Sequence, residues 1–119
     1  MGDSGQNLGV LSVWCDALTD FVASDSPDLS TRQLAIMLNV YLRPGPHTVR
    51  GLAERLNISK PAVSRALDAL GTRGLARRQR DEEDRRNVLV QRTESGLACL
   101  VTFAGMVRSA QRREMRMDG

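Results

Sequence analysis

The tripeptide Asn57-Ile58-Ser59 constrains the fold most, because it joins two short helical patterns and leaves no room for a loop. Asn57 tolerates a left-handed backbone, so the chain can reverse sharply there. Ile58 is apolar and would plug the turn, and Ser59 is a suitable N-cap for the next helix. These features predict a helix-turn-helix over residues 48–73.

Both helices of this pair have one apolar side. The first has Thr48 as a plausible N-cap, and its buried side consists of Val49, Leu52, Ala53 and Leu56. The second has Pro61 in its first turn, where a missing N–H costs nothing, and Gly74 can end it. Its inner side would be Val63, Leu67 and Leu70. The opposite side would present Ser59, Lys60, Pro61, Ser64, Arg65 and Asp68.

After Gly74 the apolar period changes from helical to alternating. The segments "LARRQR" and "NVLVQR" have the pattern of strands, and the acidic "DEED" between them indicates a turn. The sequence therefore predicts a β-hairpin over residues 75–92, with basic side chains at positions 77, 78 and 80 of its first strand.

Helical periodicity also covers residues 8–23, 31–42 and 94–115, with Thr93 as the N-cap of the last segment. The predicted stripe of the middle segment is Leu34, Leu38, Tyr41 and Leu42, and that of the last begins Leu97, Leu100, Val101 and Ala104. The order of elements predicts a mostly α member of the α+β class. It is a winged helix-turn-helix in a single domain, 1–119, with a two-stranded β-hairpin wing and flanking N- and C-terminal helices.

The charge distribution favours an anionic partner. Residues 1–42 carry a net charge of −4 and residues 43–119 a net charge of +7. No apolar run approaches the length of a membrane span, and the lone His47 lies in a Pro-Gly turn without a catalytic set. Cys15 and Cys99 form no metal or redox spacing. We therefore expect a cytoplasmic protein with no enzymatic activity, no cofactor, no metal and no membrane partner.

The stretch "LAERLNISKPAVSRALDALGTRGLARRQRDEEDRRNVLVQRTESG" resembles the MarR (multiple antibiotic resistance regulator) family of bacterial winged-helix repressors, over roughly residues 30–105. The most specific part is the wing, where the family shows an acidic turn, Asp-x-Arg, a hydrophobic strand and Leu-Thr-x-x-Gly. The corresponding segments here are Asp84-Arg85-Arg86, Val88-Leu89-Val90 and Thr93-Glu94-Ser95-Gly96. The leucine of the Leu-Thr pair is replaced by Arg92, so the base of the wing is expected to pack differently.

The resemblance implies a repressor that binds double-stranded DNA as a homodimer at a pseudo-palindromic operator. The second helix of the helix-turn-helix would enter the major groove. Arg86 would enter the minor groove, and Asp84 would support it. The candidate DNA-binding residues are Ser59, Lys60, Pro61, Ser64, Arg65, Arg77, Arg78, Asp84 and Arg86.

Members of the family run longer and dimerise through intertwined terminal helices, so this shorter chain could differ in dimer geometry. Candidate dimer anchors are Trp14, Phe21, Phe103 and Met106, and each could instead belong to the core of one chain. The resemblance leaves open both a small aromatic effector and constitutive binding. The alternative function is a winged helix that binds a protein partner, without sequence-specific DNA binding.

Overall fold

Apart from one short strand, His47–Thr48, the helices and strands follow the order that the sequence predicts. The computed structural model describes residues 7–118. Its elements are α1 (Leu11–Ala23), α2 (Thr31–Leu42), β1 (His47–Thr48), α3 (Val49–Leu56), α4 (Lys60–Thr72), β2 (Arg77–Arg80), β3 (Val88–Gln91) and α5 (Glu94–Asp118). Residues 7–9 are also helical. Two compact units divide the chain, one formed by residues 29–98 and one by the segments on either side of them.

Side-chain caps fix where three helices of the 29–98 unit begin. Ser30 and Gln33 form a capping box, in which each side chain accepts a hydrogen bond from the other's backbone N–H, at 3.1 and 3.0 Å. Thr48 accepts from the N–H of Gly51 at 2.9 Å, and Ser59 accepts from that of Ala62 at 3.1 Å. The predicted caps Thr48 and Ser59 are therefore confirmed.

The core of this unit lies between α2, α3 and α4, and its fully buried side chains are Ile36, Met37, Val40, Val63 and Leu70. The predicted stripe of α2 is wrong in part, because Leu42 is 63% exposed while Ile36, Met37 and Val40 are buried. This helix has apolar residues on nearly every side, so periodicity could not show which side faces inward.

The sheet has three antiparallel strands in the order β1-β3-β2, so the predicted two-stranded wing gains a third strand. His47 lies opposite Val90 and Thr48 opposite Leu89. A strand of two residues is too short to show the alternation that marks a strand in a sequence. β1 leads directly into α3, so it ties the helix-turn-helix to the return strand of the wing.

Tyr41, Thr93 and Gly96 hold the base of the wing. The Tyr41 hydroxyl donates to the Leu75 carbonyl at 2.8 Å and accepts from the Thr93 N–H at 2.9 Å. The Thr93 hydroxyl in turn accepts from the N–H of Gly96 at 2.9 Å, as the predicted N-cap does. A Cβ at position 96 would overlap the Tyr41 hydroxyl and the Leu75 carbonyl oxygen. The Thr-x-x-Gly pattern is therefore a packing requirement.

Arg92, which replaces the family's leucine, binds the C-terminal end of α2. Its Nε donates to the Val40 carbonyl at 2.8 Å, and a terminal nitrogen donates to the Arg43 carbonyl at 3.3 Å. Its guanidinium carbon lies 5.9 Å from the centre of the Tyr41 ring. A cation at this position complements the unpaired carbonyls and partial negative charge of a helix end.

In the other unit, α1 packs against α5 through a small apolar core. Phe21 and Phe103 meet edge to face, with ring centroids 5.1 Å apart and an interplanar angle of 69°. Both side chains are buried within a single chain, which favours the core alternative over a dimer anchor for these two residues. Trp14 is 47% exposed and Met106 is half-buried, which leaves both available to a partner.

An ion-pair cluster joins the same two helices. Arg113 of α5 lies 3.1 Å from the Asp20 carboxylate and 3.7 Å from that of Asp16, on successive turns of α1. The hydrogen bond that Arg113 donates to Asp20, together with the charges of both carboxylates, raises the pKa of Arg113. All three side chains are partly exposed, so the cluster sets the register of the helices more than it stabilises the unit.

Candidate nucleic-acid interface

The turn of the helix-turn-helix has the backbone that its sequence requires. Asn57 adopts a left-handed conformation, with φ 54° and ψ 47°. This conformation directs the N–H of Ile58 back to the Ala53 carbonyl at 3.0 Å, which satisfies one of the last acceptors of α3. Because Asn57 accounts for the reversal, α4 begins only a few residues after α3 has ended.

The two sides of α4 differ sharply in burial. Its inner side is Ala62, Val63, Ala66, Leu67 and Leu70, all of which are buried. Lys60, Pro61, Arg65 and Asp68 are exposed on the outer side, and Ser64 is half-buried beside them. The Ser59 hydroxyl accepts a hydrogen bond as the N-cap, but its own proton remains available to a ligand. These residues form the surface predicted for base and phosphate contacts.

Backbone hydrogen bonds close the tip of the wing. The N–H of Asp81 donates to the Asn87 carbonyl at 3.1 Å, and that of Asn87 donates to the Asp84 carbonyl at 2.9 Å. The Asp81 carboxylate accepts from the N–H of Glu83 at 3.0 Å, as aspartates in turns commonly do. The acidic residues of this segment therefore shape the turn, and the tip is a defined structure.

Asp84 orients Arg86 at this tip. Its Oδ1 accepts from the Arg86 Nε at 3.1 Å and from the Arg86 backbone N–H at 3.2 Å, while Oδ2 lies 3.5 Å from a terminal nitrogen. These bonds, the side-chain bond first, lower the pKa of Asp84, and the charge of Arg50 lowers it further. The Arg86 side chain is still 84% exposed. The Asp84 carboxylate thus sets the direction of the Arg86 side chain, which nevertheless remains exposed to solvent.

The register of the hairpin places two neighbouring arginines, Arg77 and Arg78, on opposite sides of the sheet. Arg78 lies opposite Val90, and Arg77 lies opposite Gln91. Partners in an antiparallel pair share one side of the sheet, and Val90 is buried. Arg78 therefore points to the body of the unit, where its guanidinium is paired with the carboxylate of Asp68 on α4. Arg77 points to the opposite side.

Sequence reasoning missed the Arg78–Asp68 pair, because these residues belong to different elements and no spacing connects them. It also missed Arg50, an exposed residue at the start of α3 whose charge acts on Asp84. Only the pairing of β1 with β3, which was not predicted, explains why this end of α3 lies near the wing.

Within residues 7–118, no group of three or more His, Cys, Asp or Glu side chains could hold a metal ion. In the same range, no helix combines the length and the apolar character needed to cross a membrane. Burial raises the pKa of the Cys99 thiol, which disfavours the reactive thiolate.

Comparison with known proteins gives a consistent result for fold and family. The sequence profile of the MarR family matches residues 28–87. None of the curated protein sequences compared with the chain matches it, whereas solved structures do. BldR, a transcriptional regulator from Sulfolobus solfataricus, is 32% identical over 76% of this chain and 63% of its own, with a TM-score of 0.60.

Two other solved structures cover almost the whole chain. A point mutant of S. aureus MepR, bound to an oligodeoxyribonucleotide, has a TM-score of 0.81 at 18% identity, over 98% of this chain and 83% of its own. The transcriptional regulator Tm0710 from Thermotoga maritima has a TM-score of 0.77 at 19% identity, over 98% and 80%. At these identities the two structures establish the winged-helix fold.

Proposed function

This chain belongs to the MarR family, and from that premise we propose that it is a DNA-binding transcriptional regulator that represses its targets as a homodimer. The operator is pseudo-palindromic, so that each protomer meets one half-site. In each half-site α4 lies in the major groove and the wing reaches the minor groove. A protein of this kind acts in the cytoplasm.

The observation that carries this proposal is the Asp84–Arg86 pair at the tip of the wing. Entry into a narrow groove needs a long cation held in one direction, and the negative potential of DNA is concentrated there. The carboxylate of Asp84 supplies the direction through charge-assisted hydrogen bonds, and the exposed guanidinium supplies the charge.

The outer side of α4 supports contact with bases and phosphates. Lys60 and Arg65 are exposed near the N-terminal end of the helix, where the helix dipole also favours anions. Ser64 lies between them and can donate to a base edge or a phosphate. Arg77, on the outward side of β2, supplies a phosphate contact.

An exposed stripe on α1 supports the homodimer. The stripe consists of Leu11, Trp14, Leu18 and Val22, all of which are at least 39% exposed, and it adjoins the buried Ala17 and Phe21. The apolar side of α1 is thus wider than the part that its own chain covers, which is typical of a helix that also meets a partner.

Two single variants at the wing tip test the proposal. Arg86 and Arg85 are neighbouring exposed arginines, but only Arg86 is bonded to Asp84. We expect Arg86→Ala to weaken binding to the operator by about 1–3 kcal/mol, roughly 5- to 150-fold. Arg85→Ala removes the same charge and should change affinity for all DNA sequences about equally. Fluorescence anisotropy with operator and random duplexes measures both.

Circular dichroism of both variants should match that of the wild type, since neither side chain is buried. Equal losses in the two variants would contradict the assignment of Arg86 to the minor groove. Wild-type protein that prefers no DNA fragment would contradict the proposed function and favour a protein partner for the winged helix.

A further inference from the structure

The ion pair between Arg78 and Asp68 joins the two elements that would read DNA. Asp68 lies on the outer side of α4, one turn beyond Ser64 and Arg65, and Arg78 lies at the base of the wing. Their side chains are 61% and 39% exposed, so the pair is accessible to solvent and to salt. It is a cross-link between these elements that lies on the candidate interface itself.

The Arg78–Asp68 pair lies beside a groove. This open groove of about 430 Å³ lies between α4 and β2, and its lining includes the apolar Leu67 and Ala76 as well as Asp68, Thr72 and Arg78. The Thr72 hydroxyl donates to the Asp68 carbonyl at 2.9 Å, so it does not compete for the Asp68 carboxylate. The pair therefore adds a polar contact across the groove to a wing whose base Tyr41 and β1 already hold.

We propose that Asp68 is a positioning residue for sequence-specific DNA binding. By holding the Arg78 guanidinium against α4, it fixes the wing at the distance at which α4 and Arg86 reach two grooves together. It also withholds Arg78 from the DNA phosphates. The inference rests on the proposed function and deepens it. Arg77 binds the DNA phosphates, whereas Arg78 holds the wing in position relative to α4.

The charges explain why Arg78 cannot both hold the wing against α4 and bind the DNA phosphates. A carboxylate on the outer side of α4 would repel the DNA backbone unless a cation neutralised it. Arg78, once paired with Asp68, has little net charge to offer a phosphate and releases few counterions on binding. Non-specific binding needs only positive charge, whereas specific binding needs α4 and the wing to reach their two grooves together. Losing the pair should therefore affect specific binding most.

Matched variants of the two neighbouring arginines separate these roles. Arg77→Gln should make the dependence of log affinity on log salt concentration shallower by about one, for operator and random DNA alike. The double variant Arg78→Gln with Asp68→Asn, which leaves no unpaired carboxylate, should leave that slope unchanged and lower operator affinity about tenfold, with little effect on random DNA. If this double variant changes the slope as Arg77→Gln does, or changes nothing, the proposal is wrong.

Asp68→Asn gives the complementary result. It preserves the shape of the side chain and frees Arg78, so random DNA should bind more tightly with a steeper salt dependence. The ratio of operator to random affinity should fall about tenfold. The exchanged pair Asp68→Arg with Arg78→Asp should recover most of that ratio. An unchanged ratio in Asp68→Asn would overturn the proposal.

A measurement without DNA keeps this test separate from the proposed function. Amide exchange of residues 77–80 should be faster in Asp68→Asn than in the wild type, because the wing loses its link to α4. The Arg77→Gln variant is the control and should exchange as the wild type does. If Asp68→Asn exchanges faster but the wild type prefers no DNA fragment, the proposed function is wrong, while the role of the Arg78–Asp68 pair in holding the wing still stands. Equal exchange in all three proteins would show that the Arg78–Asp68 pair does not hold the wing against α4.

Discussion

Among single residues, two aspartates direct two arginines on the surface that we propose to bind DNA. Asp84 directs Arg86 outward from the tip of the wing, and Asp68 holds Arg78 at its base. Exposed ion pairs of this kind add little to stability, since solvent screens them. Their value here is geometric, because a long side chain that already points one way loses less conformational freedom on binding.

The pKa of the Asp84 carboxyl reports directly on its interaction with Arg86 at the tip of the wing. Its pKa is lowered in the folded protein, so the interaction is complete at neutral pH and is lost as pH falls through the folded pKa. We expect Arg86→Ala to raise the Asp84 pKa toward its ordinary value of about 3.9. An NMR titration of the side-chain carboxyl measures this shift.

Arg85→Ala is the control for that titration, because it removes an adjacent charge without touching the hydrogen bonds. Its Asp84 midpoint should stay below the ordinary range, as in the wild type. Identical midpoints in Arg86→Ala and the wild type would show that the two side chains do not interact in solution.

At the scale of elements, local signals predicted both the starts and the ends of helices well. Thr48, Asn57, Ser59, Gly74 and Thr93 act through contacts within a few residues, so the sequence contains the information needed to assign them. Contacts between elements are different. β1, the Arg78–Asp68 pair and the hold of Arg92 on α2 arise only when distant segments meet.

The faces of the terminal helices were harder to assign for a related reason. In α5 the predicted apolar side includes the buried Leu100 but also Leu97 and Val101, which are 56% and 62% exposed. Phe103 and Ala110, which were not predicted for that side, are buried. A helix that has one apolar side for its own chain and another for a partner shows no single stripe. The pattern predicted the helices and left their inner sides undetermined.

The exposed stripe of α1 makes a prediction about assembly. We expect the wild-type protein to sediment as a dimer at micromolar concentration. Leu18→Glu should raise the dimer dissociation constant at least about tenfold, because it places an unpaired charge in an apolar interface. The matched variant Thr19→Glu adds the same charge at an exposed polar position and should remain dimeric. A monomeric wild type at that concentration would contradict this prediction.

At the scale of the whole molecule, charge and fold agree on the kind of partner. The segment with a net charge of +7, residues 43–119, contains the helix-turn-helix and the wing. The acidic segment, residues 1–42, contains α1 and its exposed apolar stripe. This division is consistent with the proposal that one part of the chain meets DNA and the other a second copy of the chain.

We propose that this protein reads DNA sequence. The most direct test titrates the purified protein into labelled duplexes from around its own gene and into a random duplex, at several salt concentrations. We expect a steep salt dependence for all of them and one fragment bound about a thousandfold tighter than the random duplex. Equal affinity for every fragment, or no binding at low salt, would contradict it.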